Sequence, residues 1–599
     1  MQARLFRDWR LSLLTAAALL GLVVPAGRYV EDPDLAVIIR ETDPRSSTVE
    51  KLVERLGGVV VDQLELIGGF TARVPAGALV RLAGDPGVSA ITPDAKLTMD
   101  VWSGAGWETA VGLLDYNPIT TAGSMYNVAQ IVTGAGGFWE DGFDGSGVDV
   151  ALIDTGVVPV NGLTTPGKVV NGADLSFESQ SERFRYLDTY GHGTHMAGII
   201  AGQDDQVPQT ISTGYWQRFV GMAPGARIVN VKVGDFQGST DVSQVIAAID
   251  WVVQHRYDNG MNIRVINLSY GTDGGQTYAL DPLAFAVEQA WKKGIVVVVA
   301  AGNDGNSFAL RNPAFDPFVI AVGATASGTT LSTNDDTVQS FSNCGNDARS
   351  VDIVAPGKSI VSLRNPGSFA DLNYPSAVVA ERFFLGSGTS QAAAVVSGAV
   401  ALIIDQRPNI TPDQVKKLLK STAEPIPSAS ALCQGAGLLD LWTARVWSSP
   451  SAKASRQSAD ASTGTGTLEG ARGSAHLEHN GVVLEGEVDI LGMPWVGPTW
   501  ASASAAGTSW SGGTWNGGSW SGASWSGTSW SGTSWSGTNW SGTSWSGASW
   551  SGTSWSGMSW SGGSWSGGSW SGTSWSGTSW SGTSWSGLGW GAMRGQSWD

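Results

Sequence analysis

The sequence predicts an α/β protein: a three-layer domain with a parallel sheet, preceded by a small α+β unit and followed by a low-complexity tail. Three observations carry this. Runs 148–153, 227–233, 265–268 and 295–301 are apolar without polar alternation, as strands buried on both faces of a parallel sheet are. Between two of these runs, segment 241–257 carries Val242, Val245, Ile246, Ile249 and Val253 at helical spacing. Beyond them, Trp recurs at every fifth residue from Trp510 through Trp590, mostly in the unit Trp-Ser-Gly-Thr-Ser.

The elements follow in chain order. Arg4, Arg7 and Arg10 precede an apolar stretch from Leu11 to Val24, so residues 1–26 read as a secretory signal peptide cut after Ala26. Residues 34–96 alternate strands (35–39, 59–61, 69–74, 88–91) with helices (47–56, 77–83), the small α+β unit. The three-layer domain spans residues 135–446. Residues 447–475, rich in Ser, Ala, Thr and Gly, read as a linker. In 476–499 two short strand-like runs flank Asn480-Gly481, a hairpin turn signal that marks a small β element. The tail is assigned to 500–599, and no Asp, Glu, Lys or Arg lies between Asp489 and Arg594.

Composition narrows the function. The 599 residues hold 35 Lys+Arg against 52 Asp+Glu, a net charge of −17, and no basic block, which argues against a nucleic-acid partner. Two cysteines, Cys344 and Cys433, allow one bridge at most and exclude a disulfide framework. Export would put them where a bridge persists. The uncharged tail exposes too many indoles to stay independent in water, so attachment to a cell surface, to glycan or to other copies is expected of it. An odd period sends alternate Trp residues to opposite faces of a flat strand, which disfavours a one-faced sheet unless each unit contains a turn.

Three segments place a reactive residue type beside small residues at the end of a buried element. Val150-Ala151-Leu152-Ile153-Asp154-Thr155-Gly156 ends an apolar strand on a carboxylate, where sites of α/β sheets collect. Gly191-His192-Gly193-Thr194-His195 opens a helix, and Gly388-Thr389-Ser390-Gln391-Ala392 delivers a serine to the start of another. A serine hydroxyl needs a histidine to take its proton, and a carboxylate to hold that imidazole in the useful tautomer. Zinc chemistry is disfavoured: His192 and His195 stand three apart, and no third His or Cys follows within a plausible motif.

The order Asp, His, Ser and these three segments closely resemble the subtilisin-like serine peptidases. The resemblance covers roughly 135–446 and extends to Gly221-Met222-Ala223-Pro224-Gly225, Asn267-Leu268-Ser269-Tyr270-Gly271 and Ala301-Gly302-Asn303-Asp304-Gly305. It implies a triad of Asp154, His192 and Ser390, an oxyanion donor in Asn303, and a substrate-pairing strand at Ser269, Tyr270 and Gly271. It also implies protein or peptide substrates and no cofactor for the chemistry. Residues 34–96 then resemble the family's inhibitory propeptide, cut between about Leu97 and Tyr126, so that the enzyme is its own inhibitor until exported. Structural calcium is weighed for loop 202–216, where Asp204 and Asp205 offer hard oxygen ligands. Two positions depart from the family pattern: Gln391 stands where Met usually follows the nucleophile, and Ala394 where Pro is usual.

Overall fold

A computed structural model describes residues 34–42, 46–64, 69–93, 106–107, 116–180, 184–204, 218–326, 328, 330, 332–479, 482–490, 494–509, 520–521, 524–536, 539–552, 554–567 and 579–587. The proposed signal peptide, most of the 97–126 window and loop positions 205–216 lie outside these residues. The chain divides into two units, Met1–Lys96 and Leu97–Asp599.

In the first unit, β1 (Asp34–Glu41), β2 (Val59–Leu64), β3 (Gly69–Pro75) and β4 (Val88–Pro93) form an antiparallel sheet in the order β2-β3-β1-β4, with helices α1 (Thr48–Arg55) and α2 (Leu79–Ala83). Val37 and Ile39 of β1, with Phe70, Ala72 and Val74 of β3, recur every second residue. Val49 and Val53 of α1 recur every fourth. Each period brings one face of its element onto a shared core.

The second unit is built on an eight-stranded sheet of β6 (Asp149–Asp154), β7 (Val169–Asp174), β8 (Arg227–Lys232), β9 (Ile263–Leu268), β10 (Val296–Ala300), β11 (Ile320–Ala326), β12 (Thr337–Val338) and β13 (Ile353–Pro356). The order β7-β8-β6-β9-β10-β11 is parallel throughout; β13 adds in parallel to β11, and β12 is antiparallel to it. Every residue of β6 and β10 is buried, as continuously apolar strands covered on both faces must be. Helix α3 (His192–Ala201) packs with α6 (Thr389–Gln406), and α4 (Val242–His255) with α5 (Pro282–Lys292). A second sheet holds β14 (Ile360–Leu363), β15 (Val378–Val379) and β16 (Phe383–Ser387), and β5 (Gly106–Trp107) pairs antiparallel with β16. Cys344 and Cys433 form a disulfide.

The structure corrects two boundaries. Residues 447–475 are packed against the sheet domain rather than strung out as a linker. Helix α7 (Leu468–Arg472) buries Leu468 and Ala471 in the main core, and the Ser462 backbone N–H donates to Glu288 Oε1 at 2.7 Å. No helical period announced this, because the segment is held mainly by backbone groups and single polar side chains. Residues 500–506, assigned to the tail, join 497–499, assigned to the small β element, in helix α8 (Gly497–Ala506), with Trp500 fully buried. The expected hairpin pairs Glu478 with Val483 and His479 with Val482, its turn lying outside the described residues.

In the tail, β17 (Trp520–Ser521), β18 (Ser524–Ser536), β19 (Asn539–Gly552), β20 (Ser554–Gly567) and β21 (Ser579–Gly587) form a parallel sheet. Trp525 stands opposite Trp540 and Trp540 opposite Trp555, so successive strands are offset by whole pentapeptide units. The register sets like residue opposite like along each strand, Trp to Trp, Ser to Ser and Gly to Gly.

Candidate active site

The site forms where β6 ends. Asp154 closes that strand and the backbone turns at once through Thr155-Gly156, so helix α3 can approach closely. A Cβ at Gly193 would lie 2.1 Å from the Gly156 carbonyl oxygen, which explains why both motifs are built of small residues. His192 opens α3 with its Nδ1 at 2.8 Å and 3.0 Å from the two Asp154 carboxylate oxygens. Both side chains are almost wholly buried. Burial opposes charge on the imidazole, but the Asp154 carboxylate outweighs it and holds His192 above its ordinary value.

His195, one turn on, faces elsewhere. Its Nε2 lies 3.1 Å from the Phe384 carbonyl, and burial followed by the neighbouring His192 charge lowers it to about 3. It therefore stays neutral at working pH.

Asp188, which sequence reasoning passed over, anchors the helix from below. It accepts from Thr155 Oγ1 at 2.8 Å, Gly191 N at 2.6 Å and Thr194 N at 2.8 Å. Thr155 Oγ1 in turn accepts from Gly193 N at 2.9 Å. The one signal for it was its place three residues before the helix-opening glycine.

Ser390 is the second residue of α6, a helix buried from Thr389 to Ile404. Its neighbours Ser387 and Gln391 line the cavity that Asp154 and His192 also line. Asn303, just beyond β10, accepts through Oδ1 from Thr389 N at 2.8 Å and Thr389 Oγ1 at 3.0 Å. Its amide is thereby fixed in one orientation, with Nδ2 buried and undonated among the described residues. A buried donor left open costs stability unless something else uses it.

Ser269 and Tyr270, following β9, line the same cavity together with Gly238 and Thr240, which follow β8. Gly271 does not line it; a Cβ there would come within 2.6 Å of the Arg311 Cβ. Trp107 was not foreseen. Gly106 and Trp107 pair with Ser387 and Gly386, and the indole meets His192 edge-on at 6.5 Å and His195 at 5.4 Å between ring centroids. Two residues in a patternless stretch carry no sequence signal for such a position.

The calcium expectation meets a competing use of its first ligand. Asp204 accepts from Phe219 N at 3.0 Å and forms an ion pair with Arg382, while Asp205 lies outside the described residues. Among the described residues no helix is long and apolar enough to cross a membrane.

Comparison with known proteins places this geometry. The sequence profile described as "Subtilase family" matches residues 145–466. Serine protease AprX of Bacillus subtilis (strain 168) is 38% identical over 303 residues, covering 49% of this chain and 65% of that protein, just under two thirds of its length. Subtilisin E of the same organism is 30% identical over 424 residues, covering 70% of this chain and 92% of that one. The extracellular serine proteinase of Thermus sp. (strain Rt41A) is 34% identical over 373 residues, covering 62% and 75%.

Proposed function

The chain belongs to the subtilase family of serine peptidases, and from that premise we propose that it is a secreted endopeptidase of broad specificity in which Asp154, His192 and Ser390 act as the triad and Asn303 as oxyanion donor. The observation that carries this is the Asp154–His192 contact in a cavity also lined by Gln391, the residue after Ser390 at a helix start, with the Asn303 amide held by Thr389 and its N–H left undonated.

In this reading Ser390 Oγ attacks the scissile carbonyl carbon as His192 Nε2 takes its proton. Asp154 holds the Nδ1–H and stabilises the imidazolium that forms. The carbonyl oxygen, now an anion, accepts from Asn303 Nδ2 and from the Ser390 backbone N–H, which in the first turn of α6 has no intrahelical partner. The tetrahedral intermediate collapses, the amine leaves with the proton from His192, and water repeats the sequence on the acyl-enzyme. Three side chains, one side-chain amide and one backbone N–H supply these groups, and the substrate backbone lies along Ser269 to Gly271. On one side Val233, Gly234, Gly238 and Thr240 make few demands on a side chain, which supports broad specificity, while Trp107, Tyr190 and Tyr270 line the rest.

Self-processing follows from the same nucleophile, with residues 34–96 as the inhibitory propeptide. A segment of the expected cleavage window, Gly106-Trp107, seated against β16 beside His192 supports occupation of the cleft by the chain itself. Ser390→Ala should abolish peptide hydrolysis and leave the precursor uncut when made in a protease-free host. Normal processing of that variant would overturn autocatalysis.

The tail, from about residue 510, is read as an attachment module for a surface glycan or for other copies. Deleting 510–599 should leave turnover of a short peptide within about twofold and release the enzyme into the medium. Identical partitioning of the two forms would end that reading.

A further inference from the structure

Both walls of the cleft are tied to a segment beyond the end of the family match at residue 466. On one side Asp241 directly follows the cavity-lining Gly238–Thr240 stretch and caps helix α4. Its Oδ2 accepts from Arg472 Nε at 2.7 Å, and both side chains are wholly shielded from solvent. On the other side, the residues directly after Ser269–Gly271 hang on helix α7. Thr272 Oγ1 donates to the Ala471 carbonyl at 2.5 Å, Gly275 N to the Gly470 carbonyl at 3.0 Å, and Asp273 accepts from Ser474 N at 2.7 Å. The approach is tight: a Cβ at Gly473 would lie 2.4 Å from Asp273 Oδ1. The Arg472 guanidinium is held in turn by the Gly486 carbonyl at 2.6 Å and by the Val488 carbonyl.

From this arrangement we infer that Arg472 and the 467–490 segment position the two substrate-binding walls relative to each other, making Arg472 a positioning residue for extended substrates. The inference rests on reading Ser269–Gly271 as the substrate-pairing strand. A planar five-donor fork is what can hold the Asp241 carboxylate, the Glu469 carboxylate at 3.3 Å and two carbonyls at once, and a lysine cannot reproduce it. The bond-making groups stand on β6, α3 and α6, none of which these contacts touch, so the effect falls on alignment of a long acyl chain.

The test compares Arg472→Met and Arg472→Lys with the parent on a tetrapeptide amide and a single-residue amide bearing the same leaving group. Loss of alignment should lower kcat/KM for the tetrapeptide at least about tenfold, mainly through KM, and that for the single residue less than about threefold. Equal losses on both substrates, or none on either, would overturn the inference. Should Arg472→Met not fold, Thr272→Val carries the same comparison, since it deletes one hydroxyl at constant shape. Titration with a fluorophosphonate, run with Ser390→Ala alongside, separates the two failures. Labelling that survives Ser390→Ala refutes the active-site reading, whereas normal labelling with length-independent kinetics refutes only the role of Arg472.

Discussion

Trp500→Ala probes where the folded peptidase unit ends. The indole is fully buried, edge-on to Phe285 at 5.5 Å and tilted against Trp495 at 5.0 Å. Its Nε1 donates to Asp250 Oδ2 at 2.8 Å, and Ser504 Oγ donates to the other oxygen at 2.8 Å. An indole removes roughly 150–250 Å² from water, about 4–6 kcal/mol at ~25 cal/mol per Å², and Trp-to-Ala losses in cores run about 3–5 kcal/mol. A hydrogen bond to a charged group adds about 1.5–3 kcal/mol, not fully additively. Trp500→Ala should therefore cost about 5 kcal/mol, and Trp500→Phe, which keeps most of the area but loses the donor, about 2 kcal/mol. Whole-domain stabilities of about 5–15 kcal/mol leave the Ala variant near the edge of unfolding. Urea unfolding followed by Trp fluorescence, in a Ser390→Ala background that prevents autolysis, reads both values. Chains ending at residue 509 and at residue 496 give the matching truncation pair. If Trp500→Ala unfolds within about 1 kcal/mol of its parent, or the two truncated chains are equally stable, helix α8 is not part of the domain.

Three further outcomes are expected. Asn303→Ala should lower kcat by roughly 10²–10³ with little change in KM, the magnitude known for such donors in this enzyme family, checked by steady-state kinetics on a peptide amide. Only neutral His192 can take the Ser390 proton, so a value held above the ordinary 6.5 puts the acid limb of the kcat/KM profile above that pH. Asp154→Asn should move the limb down and cut kcat by about 10⁴, and an unmoved limb in the pH profile would remove Asp154 from the coupling. Activity should survive peroxide, because Gln391 beside the nucleophile has no sulfur to oxidise. Rapid peroxide inactivation without oxidation at any other active-site residue, followed by mass spectrometry, would contradict this.

What the sequence determined by itself is local and periodic. Strands β6, β8, β9 and β10 lie where the apolar runs stand, and Asp241 marks the start of α4 through its own capping geometry. The pairing of Asp154 with His192 was legible through the family resemblance of their motifs, and the glycines of those motifs are what the close approach in the structure demands. Tertiary structure alone decided what depends on long-range contact. Arg472 meets Asp241 from 231 residues away, Trp500 finds Asp250, and Trp107 reaches β16. No repeat or spacing encodes such pairings, since each is a single polar or aromatic side chain whose partner lies far away in sequence. The same reason explains why 447–475 reads as a linker in composition yet is packed in fact: a segment held by backbone groups, one buried guanidinium and two apolar side chains, Leu468 and Ala471, shows no long apolar stripe.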